Sequence, residues 1–98
     1  MAQAAREEVM IGVKEAVKIA TDYLATLYEG KDLRDVLLEE VSLSDDDRHW
    51  LVTLGFSRPV PTNPYLEAMG AENFKREYKI FEISAETGEV RSMQIRQV

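Results

Sequence analysis

The chain has 98 residues, enough for one domain with one hydrophobic core but not for two domains. Apolar residues make up 45% of it and charged residues 31%, a balance typical of a globular protein, and the absence of cysteine excludes disulfides and thiolate chemistry. The formal net charge of −6, which no cluster of Lys and Arg offsets, argues against nucleic acid and anionic membrane surfaces as partners.

The sequence predicts a cytoplasmic protein without a membrane anchor. Residues 1–11 contain Arg6, Glu7 and Glu8, where a signal peptide needs an unbroken apolar run. No stretch approaches the roughly 18 apolar residues of a membrane span. The absence of cysteine also favours a reducing compartment. Whether residues 1–10 are ordered stays open at this point.

An amphipathic helix is predicted over residues 12–29. Its apolar residues recur at helical spacing and form one stripe: Val13, Ala16, Val17, Ala20, Leu24, Leu27 and Tyr28. Gly12 is the expected N-cap. Gly30 is the expected residue after the helix, because glycine tolerates the left-handed backbone that ends many helices.

Residues 36–43 and 48–57 are the first two predicted strands. In the first, Glu39 interrupts the apolar face, and the alternative that residues 32–40 form a helix stays open. The acidic run at 44–47 is typical of a turn. The second strand alternates clearly, and its large apolar side chains share one face: Trp50, Val52, Leu54 and Phe56. We expect the helix stripe to pack against this face.

Residues 74–84 and 89–97 are predicted to pair as a hairpin across the turn at 85–88. The apolar residues of the earlier strand fall on both of its faces: Tyr78, Ile80, Phe81 and Ile83. This pattern indicates either a strand covered on both faces or a bulge near its centre. In the later strand, simple alternation places Val90 on the face opposite Met93.

Three prolines in residues 58–73 interrupt the run of strands. Asn63 and Pro64 are the predicted N-cap and first residue of a short helix that ends before Gly70. The segment also carries the candidate residues for binding a protein partner: Val60, Pro61, Tyr65, Leu66 and Met69. The alternative that these residues fold back as a lid over the open end of the core stays open.

The order helix, strand, strand, long loop, strand, strand predicts the fold class. We expect a single α+β domain over residues 1–98. In it, the N-terminal amphipathic helix packs on a four-stranded antiparallel sheet.

Two segments of the chain resemble bacterial PepSY-like domains. The helix opening Val13–Ala20 is similar to the helix of that group, and Phe81–Val90 is similar to its closing hairpin, although Ser84 stands where the group usually has Asp. The resemblance covers about a third of the chain. It implies the cystatin-like plan of a helix on a four-stranded antiparallel sheet. PepSY domains are usually exported or membrane-tethered and are associated with protease inhibition. Related helix-plus-sheet folds occur among cytoplasmic immunity proteins.

No residue pattern points to catalysis, a cofactor or a metal. His49, the only histidine, is expected on the strand face opposite the core, with no nucleophile in a recognisable motif beside it. The acidic run at 45–47 lacks the spacing of a calcium loop. Glu39 and Glu40 are adjacent on a strand and are therefore expected on opposite faces. Gly55 is interpreted as a bend in a curved sheet, although a close approach by another backbone is the alternative.

These observations favour a non-catalytic interaction module, namely an inhibitor, an immunity-type protein or an accessory subunit. It would bind an unidentified protein through the 58–73 loop or an exposed sheet edge, and such an edge also allows a homodimer. The alternative is a small-ligand site or an enzyme in a cavity between helix and sheet. A catalytic site needs buried polar groups, and the predicted inner positions are almost all apolar, so we favour the interaction module.

Overall fold

The computed structural model describes residues 10–61, 63–70 and 73–97. One helix packs on one face of a four-stranded antiparallel sheet, as predicted. The elements in chain order are α1 (Val13–Leu27), β1 (Arg34–Leu43), β2 (His49–Pro59), α2 (Pro64–Ala68), β3 (Phe74–Ser84) and β4 (Val90–Ile95). The strands lie in the order β1-β2-β3-β4, a simple meander. Of residues 1–10, whose order the sequence leaves open, residues 1–9 lie outside the described residues.

A glycine lies just before the long helix α1 and another lies shortly after it. Gly12 is the N-cap, with extended backbone, and Gly30 follows the helix with a φ of 81°. Both positions were predicted from the sequence. In the part of the chain that the structure describes, no helix is long and apolar enough to cross a membrane.

The core lies between α1 and the centre of the sheet. Its buried side chains come from three elements: Ala16, Ala20, Leu24, Val52, Leu54, Phe56, Phe81 and Ile83. Two alanines on α1 let the helix approach the sheet closely, and larger side chains fill the remaining space. Each large apolar side chain buried here contributes about 1.5–3 kcal/mol. The Trp50 ring nitrogen donates a hydrogen bond to the Ile11 carbonyl (3.1 Å), which fixes the chain entering α1.

Strands β2 and β3 form the centre of the sheet. Their register is unbroken from the pair His49–Ser84 to the pair Pro59–Phe74. Of the two alternatives for β3, a bulge near its centre is therefore not found in this pairing. Phe81 lies opposite Val52 and faces the core. Tyr78 and Ile80 alternate with Phe81 and Ile83 along the strand. They are half-buried on the face opposite α1, which we call the outer face.

The strands β1 and β4, at the two sides of the sheet, carry bulges. In β1 the pairing with β2 shifts twice, once on each side of Leu37 and Leu38, so the helix considered for residues 32–40 does not form. In β4 the register shifts so that Val90 pairs with Ile83 and Met93 with Phe81. Both β4 residues pack against the core. The prediction that Val90 and Met93 lie on opposite faces was wrong, because a bulge inserts one residue and reverses the alternation.

Candidate functional site

Residues 60–73 connect β2 and β3, and we call this segment the tip. The helix α2 predicted within it is present. The Asn63 side-chain oxygen accepts a hydrogen bond from the Leu66 backbone N–H (2.8 Å), and Pro64 stands at the start of the helix. Gly70 ends the helix with a φ of 80°. The Val60 N–H donates to the Asn73 carbonyl (3.0 Å), which joins the two sides of the base.

The candidate binding residues of the tip face solvent. Tyr65, Leu66 and Met69 share one side of α2, and their exposed fractions are 73%, 41% and 68%. Pro61 is also exposed and Val60 is half-buried. Within the described residues, none of the five belongs to the core or packs against it. In the described structure, these five residues therefore do not form a lid over the core.

A second polar cluster occupies the outer face of the sheet. The Glu39 carboxylate pairs with Arg76 (3.1 Å). Arg96 pairs with Glu40 and also donates a hydrogen bond to the Thr53 hydroxyl (2.9 Å). The expectation that Glu39 and Glu40 lie on opposite faces was wrong, because the β1 bulge turns both to the outer face. With Tyr78 beside them, they line a shallow depression of about 310 Å³.

Gly55 lies directly beneath this cluster. A Cβ atom at position 55 would lie 2.6 Å from the Glu39 carboxylate, 2.9 Å from the Arg76 guanidinium and 3.0 Å from the Tyr78 ring. The atoms that approach this position belong to side chains, so the alternative of a close approach by another backbone is wrong. These side chains come from the two strands on either side of β2, so the sequence around Gly55 contained no signal for their close approach.

The outer cluster satisfies its own polar groups. Thr53 is only 2% exposed, but Arg96 provides its hydrogen bond. No buried side-chain nitrogen or oxygen lacks a partner in the described part of the chain. Each of the two carboxylates is held by an arginine. The arrangement is that of a structural ion-pair network over the backbone of β2.

His49 and the acidic turn also have local partners. As predicted, His49 lies on the outer face, where its Nδ1 is 3.6 Å from the Glu82 carboxylate. The Asp46 carboxylate accepts hydrogen bonds from the Ser44 hydroxyl (2.6 Å) and the Arg48 N–H (3.0 Å). These bonds, the hydroxyl first, lower the pKa of Asp46 below its ordinary value. No group of three or more potential metal ligands occurs among residues 10–61, 63–70 and 73–97.

The space between α1 and the sheet contains apolar side chains in close contact. The Tyr28 ring packs against Phe56 at a centroid distance of 5.6 Å, and Tyr23 packs against Phe81 at 6.2 Å. The buried side chains of this layer carry no polar groups. Among the described residues, the buried polar side chain is that of Thr53 on the outer face, so no convergent polar groups of the kind that a ligand site or a catalytic site needs are seen in this layer.

No family model matches the chain, and no curated protein sequence or solved structure matches it either.

Proposed function

We propose that this protein is a non-catalytic interaction module that binds a protein partner through the tip. The observation that carries the proposal is the exposed apolar side of α2, formed by Tyr65, Leu66 and Met69. An apolar patch held in solvent on a defined helix is typical of an interaction site. Tyrosine and methionine are enriched in the centres of protein interfaces.

The construction of the tip supports this proposal. The Asn63 cap and Gly70 fix both ends of α2, although the helix contributes no buried residue to the domain. The local sequence therefore stabilises a helix that the core does not need. Because the helix is formed before binding, less conformational entropy is lost when a partner binds. We expect Tyr65 to contribute most, since exposed tyrosines that become buried are frequent hot spots.

The role of the module depends on its partner. An inhibitor, an immunity-type protein and an accessory subunit all bind through such a surface, and the resemblance to PepSY-like domains favours inhibition. The net charge of −6 favours a protein over a nucleic acid as the partner, and we place the interaction in the cytoplasm. A homodimer formed through a sheet edge is a competing arrangement, which sedimentation over a range of concentrations detects.

The experiment compares wild type, Tyr65→Ala/Leu66→Ala and Leu37→Ala as tagged baits in lysate of the native source. Leu37 is an exposed apolar residue on β1, away from the tip, and serves as the matched control. We expect a protein that wild type and the control capture and that the tip variant loses. All three proteins should unfold at the same temperature, because none of the changes touches the core.

Two outcomes of this experiment contradict the proposal. In one, a partner binds the double variant as well as it binds wild type, so the tip is not the site. In the other, wild type captures no protein above background.

A further inference from the structure

Strand β3 extends beyond the end of β4. The last described ladder contact is the hydrogen bond from the Arg96 N–H to the Tyr78 carbonyl (2.9 Å). Gln97, the last described residue, follows Arg96, and no described residue pairs with residues 74–76 on this side of β3. On the other side of β3, these residues remain paired with β2. One edge of β3 is therefore open over this stretch of the described structure.

The backbone groups at this open edge point outward in a regular pattern. Tyr78 and Ser84 both direct their peptide groups toward β4, the latter through an N–H bond to the Glu89 carbonyl (2.8 Å). In an antiparallel ladder, alternate residues direct N–H and C=O to the same side. Arg76 and Phe74 therefore direct theirs toward the open edge. Such a row of donors and acceptors is what an added strand requires.

Positive side chains surround this open edge and line a groove of about 490 Å³, which we call the edge groove. Five of the chain's twelve Lys and Arg residues line it: Arg58, Lys75, Arg76, Lys79 and Arg96. Glu77 is the only acidic residue among its described lining residues. A local concentration of positive charge is unexpected in a chain whose net charge is −6.

Part of this positive charge is not neutralised within the domain. Arg58 pairs with Glu77 (2.6 Å), while Arg76 is paired on the outer face. Lys75 and Lys79 have no ion-pair partner among the described residues. Lys75 and Lys79 are each an even number of residues from Phe81 along β3. Their side chains therefore lie on the same face as Phe81, the α1 side of the sheet, beyond the core. A bound segment would meet their charges there.

We propose that the edge groove binds an extended segment of a partner protein rich in Asp and Glu, which pairs with residues 74–76 as an additional strand. Main-chain hydrogen bonds to Arg76 and Phe74 would hold the segment. Lys75 and Lys79 would select acidic side chains. A peptide fits better than a nucleic acid, because its backbone supplies alternating donors and acceptors, whereas a phosphodiester backbone supplies only acceptors. This surface is separate from the apolar side of α2.

The test uses the full chain and fluorescein-labelled octapeptides of stated sequence. One peptide alternates Val and Glu, and its matched control alternates Val and Lys. We expect fluorescence anisotropy to show binding of the Glu peptide alone. Binding should weaken in 1 M NaCl, where the screening length falls to about 3 Å. In amide hydrogen exchange followed by NMR, the Phe74 and Arg76 N–H groups should exchange more slowly when the Glu peptide is bound.

Charge variants provide the matched comparison. Lys75→Glu/Lys79→Glu should weaken binding of the Glu peptide by about tenfold or more, because attraction becomes repulsion at two positions. Lys14→Glu/Lys18→Glu changes the net charge equally on the exposed side of α1 and should leave binding nearly unchanged. The tip variant Tyr65→Ala/Leu66→Ala should bind the peptide like wild type. Failure of this proposal is thus distinguishable from failure of the proposed function.

Several results overturn the proposal. Equal binding of the Lys peptide would show that the groove does not select acidic side chains. Binding without slower exchange at Phe74 and Arg76 would show that the peptide does not add as a strand. Binding of an oligothymidylate with the same protection pattern assigns the groove to nucleic acid instead. Slow exchange at both amides in the free protein shows that residues of this chain already occupy the edge. The absence of any binding by the Glu peptide also overturns it.

Discussion

Gly55 shows how one residue supports the outer face of the sheet. Without a side chain, it leaves room for the Glu39–Arg76 ion pair above the backbone. The two atoms closest to a new Cβ are the ends of flexible side chains, and because they are paired with each other, moving them aside disturbs their ion pair. We therefore expect Gly55→Ala to break the ion pair and to destabilise the protein by about 1 kcal/mol.

A double-mutant cycle with Glu39→Ala tests this explanation. Once the carboxylate is absent, the ion pair is already lost, and Gly55→Ala should cost about 1 kcal/mol less than it does in wild type. Urea unfolding of the four proteins measures the difference. Equal costs of Gly55→Ala in both backgrounds would show that Glu39 is not the reason for glycine at this position.

Asp46 links the stability of the β1–β2 turn to pH. Its pKa is lowered in the folded protein from the ordinary 3.8, mainly by the Ser44 hydroxyl and then by the Arg48 N–H. A carboxylate with a lowered pKa stabilises the fold above its unfolded pKa, and this contribution is lost as the pH falls through the folded pKa. We expect Asp46→Asn to lose less thermal stability than wild type between about pH 5 and pH 2.

Thermal unfolding across this pH range provides the measurement. Asp45→Asn is the control, because it removes the same charge from the same turn but leaves the Asp46 carboxylate that accepts these two bonds. If Asp46→Asn and wild type lose stability in parallel as the pH falls, these hydrogen bonds do not contribute to the acid sensitivity.

At the scale of the elements, α2 depends on its cap more than on the rest of the domain. Asn63→Ala removes the acceptor for the Leu66 N–H, a loss of about 1 kcal/mol of local helix stability. The Leu66 amide should exchange about fivefold faster, because opening the helix becomes easier. The unfolding temperature of the whole domain should change little, since α2 buries no residue.

Hydrogen exchange followed by NMR measures both parts of this prediction. Asn63→Asp keeps an acceptor oxygen at the cap and should retain the slow exchange of Leu66. A fall in global stability with Asn63→Ala would instead show that the tip is part of the cooperative folding unit.

The elements that the sequence predicted well have long, regular patterns. The stripe of α1 and the alternation of β2 repeat several times, and glycines mark the ends of α1. The faces of β1 and β4 were assigned wrongly because each bulge inserts one residue and reverses the alternation, and none of these bulges has a local signal. The predicted fold class was nevertheless correct, since it depends on which elements are present and in what order.

The two candidate surfaces also differ in whether the local sequence indicates them. The tip was predicted because Asn63, Pro64 and Gly70 are close in sequence and act locally. The edge groove was missed, since Arg58 and Arg96 are 38 positions apart in the chain and only strand pairing brings them together. The net charge of −6 is an average over the chain, and it concealed this positive region.

For the molecule as a whole, the domain should fold without its tip. Replacing residues 61–72 with Asn-Gly would join Val60 and Asn73, which are hydrogen-bonded across the base of the tip, by a tight turn. No described tip residue belongs to the core, and a shorter loop costs less entropy to close. We expect the free energy of unfolding to change by no more than about 1 kcal/mol, while capture of the partner is lost.

Urea unfolding and the capture experiment together check this prediction. The Asn63→Ala protein, which retains every apolar residue of the tip, is the comparison for capture. Failure of the shortened protein to fold would show that the tip stabilises the domain, and unchanged capture would place the partner elsewhere.

The unbroken pairing between β2 and β3 holds the two strands together independently of the peptide chain that connects them. All 11 residues of β2 are paired, and a shared core joins the two strands. A protease cut within the tip would therefore leave two fragments, α1-β1-β2 and β3-β4, held together without a peptide bond between them. The two halves, produced separately, should reassemble when mixed, so the tip is a natural position for splitting this protein into complementing fragments.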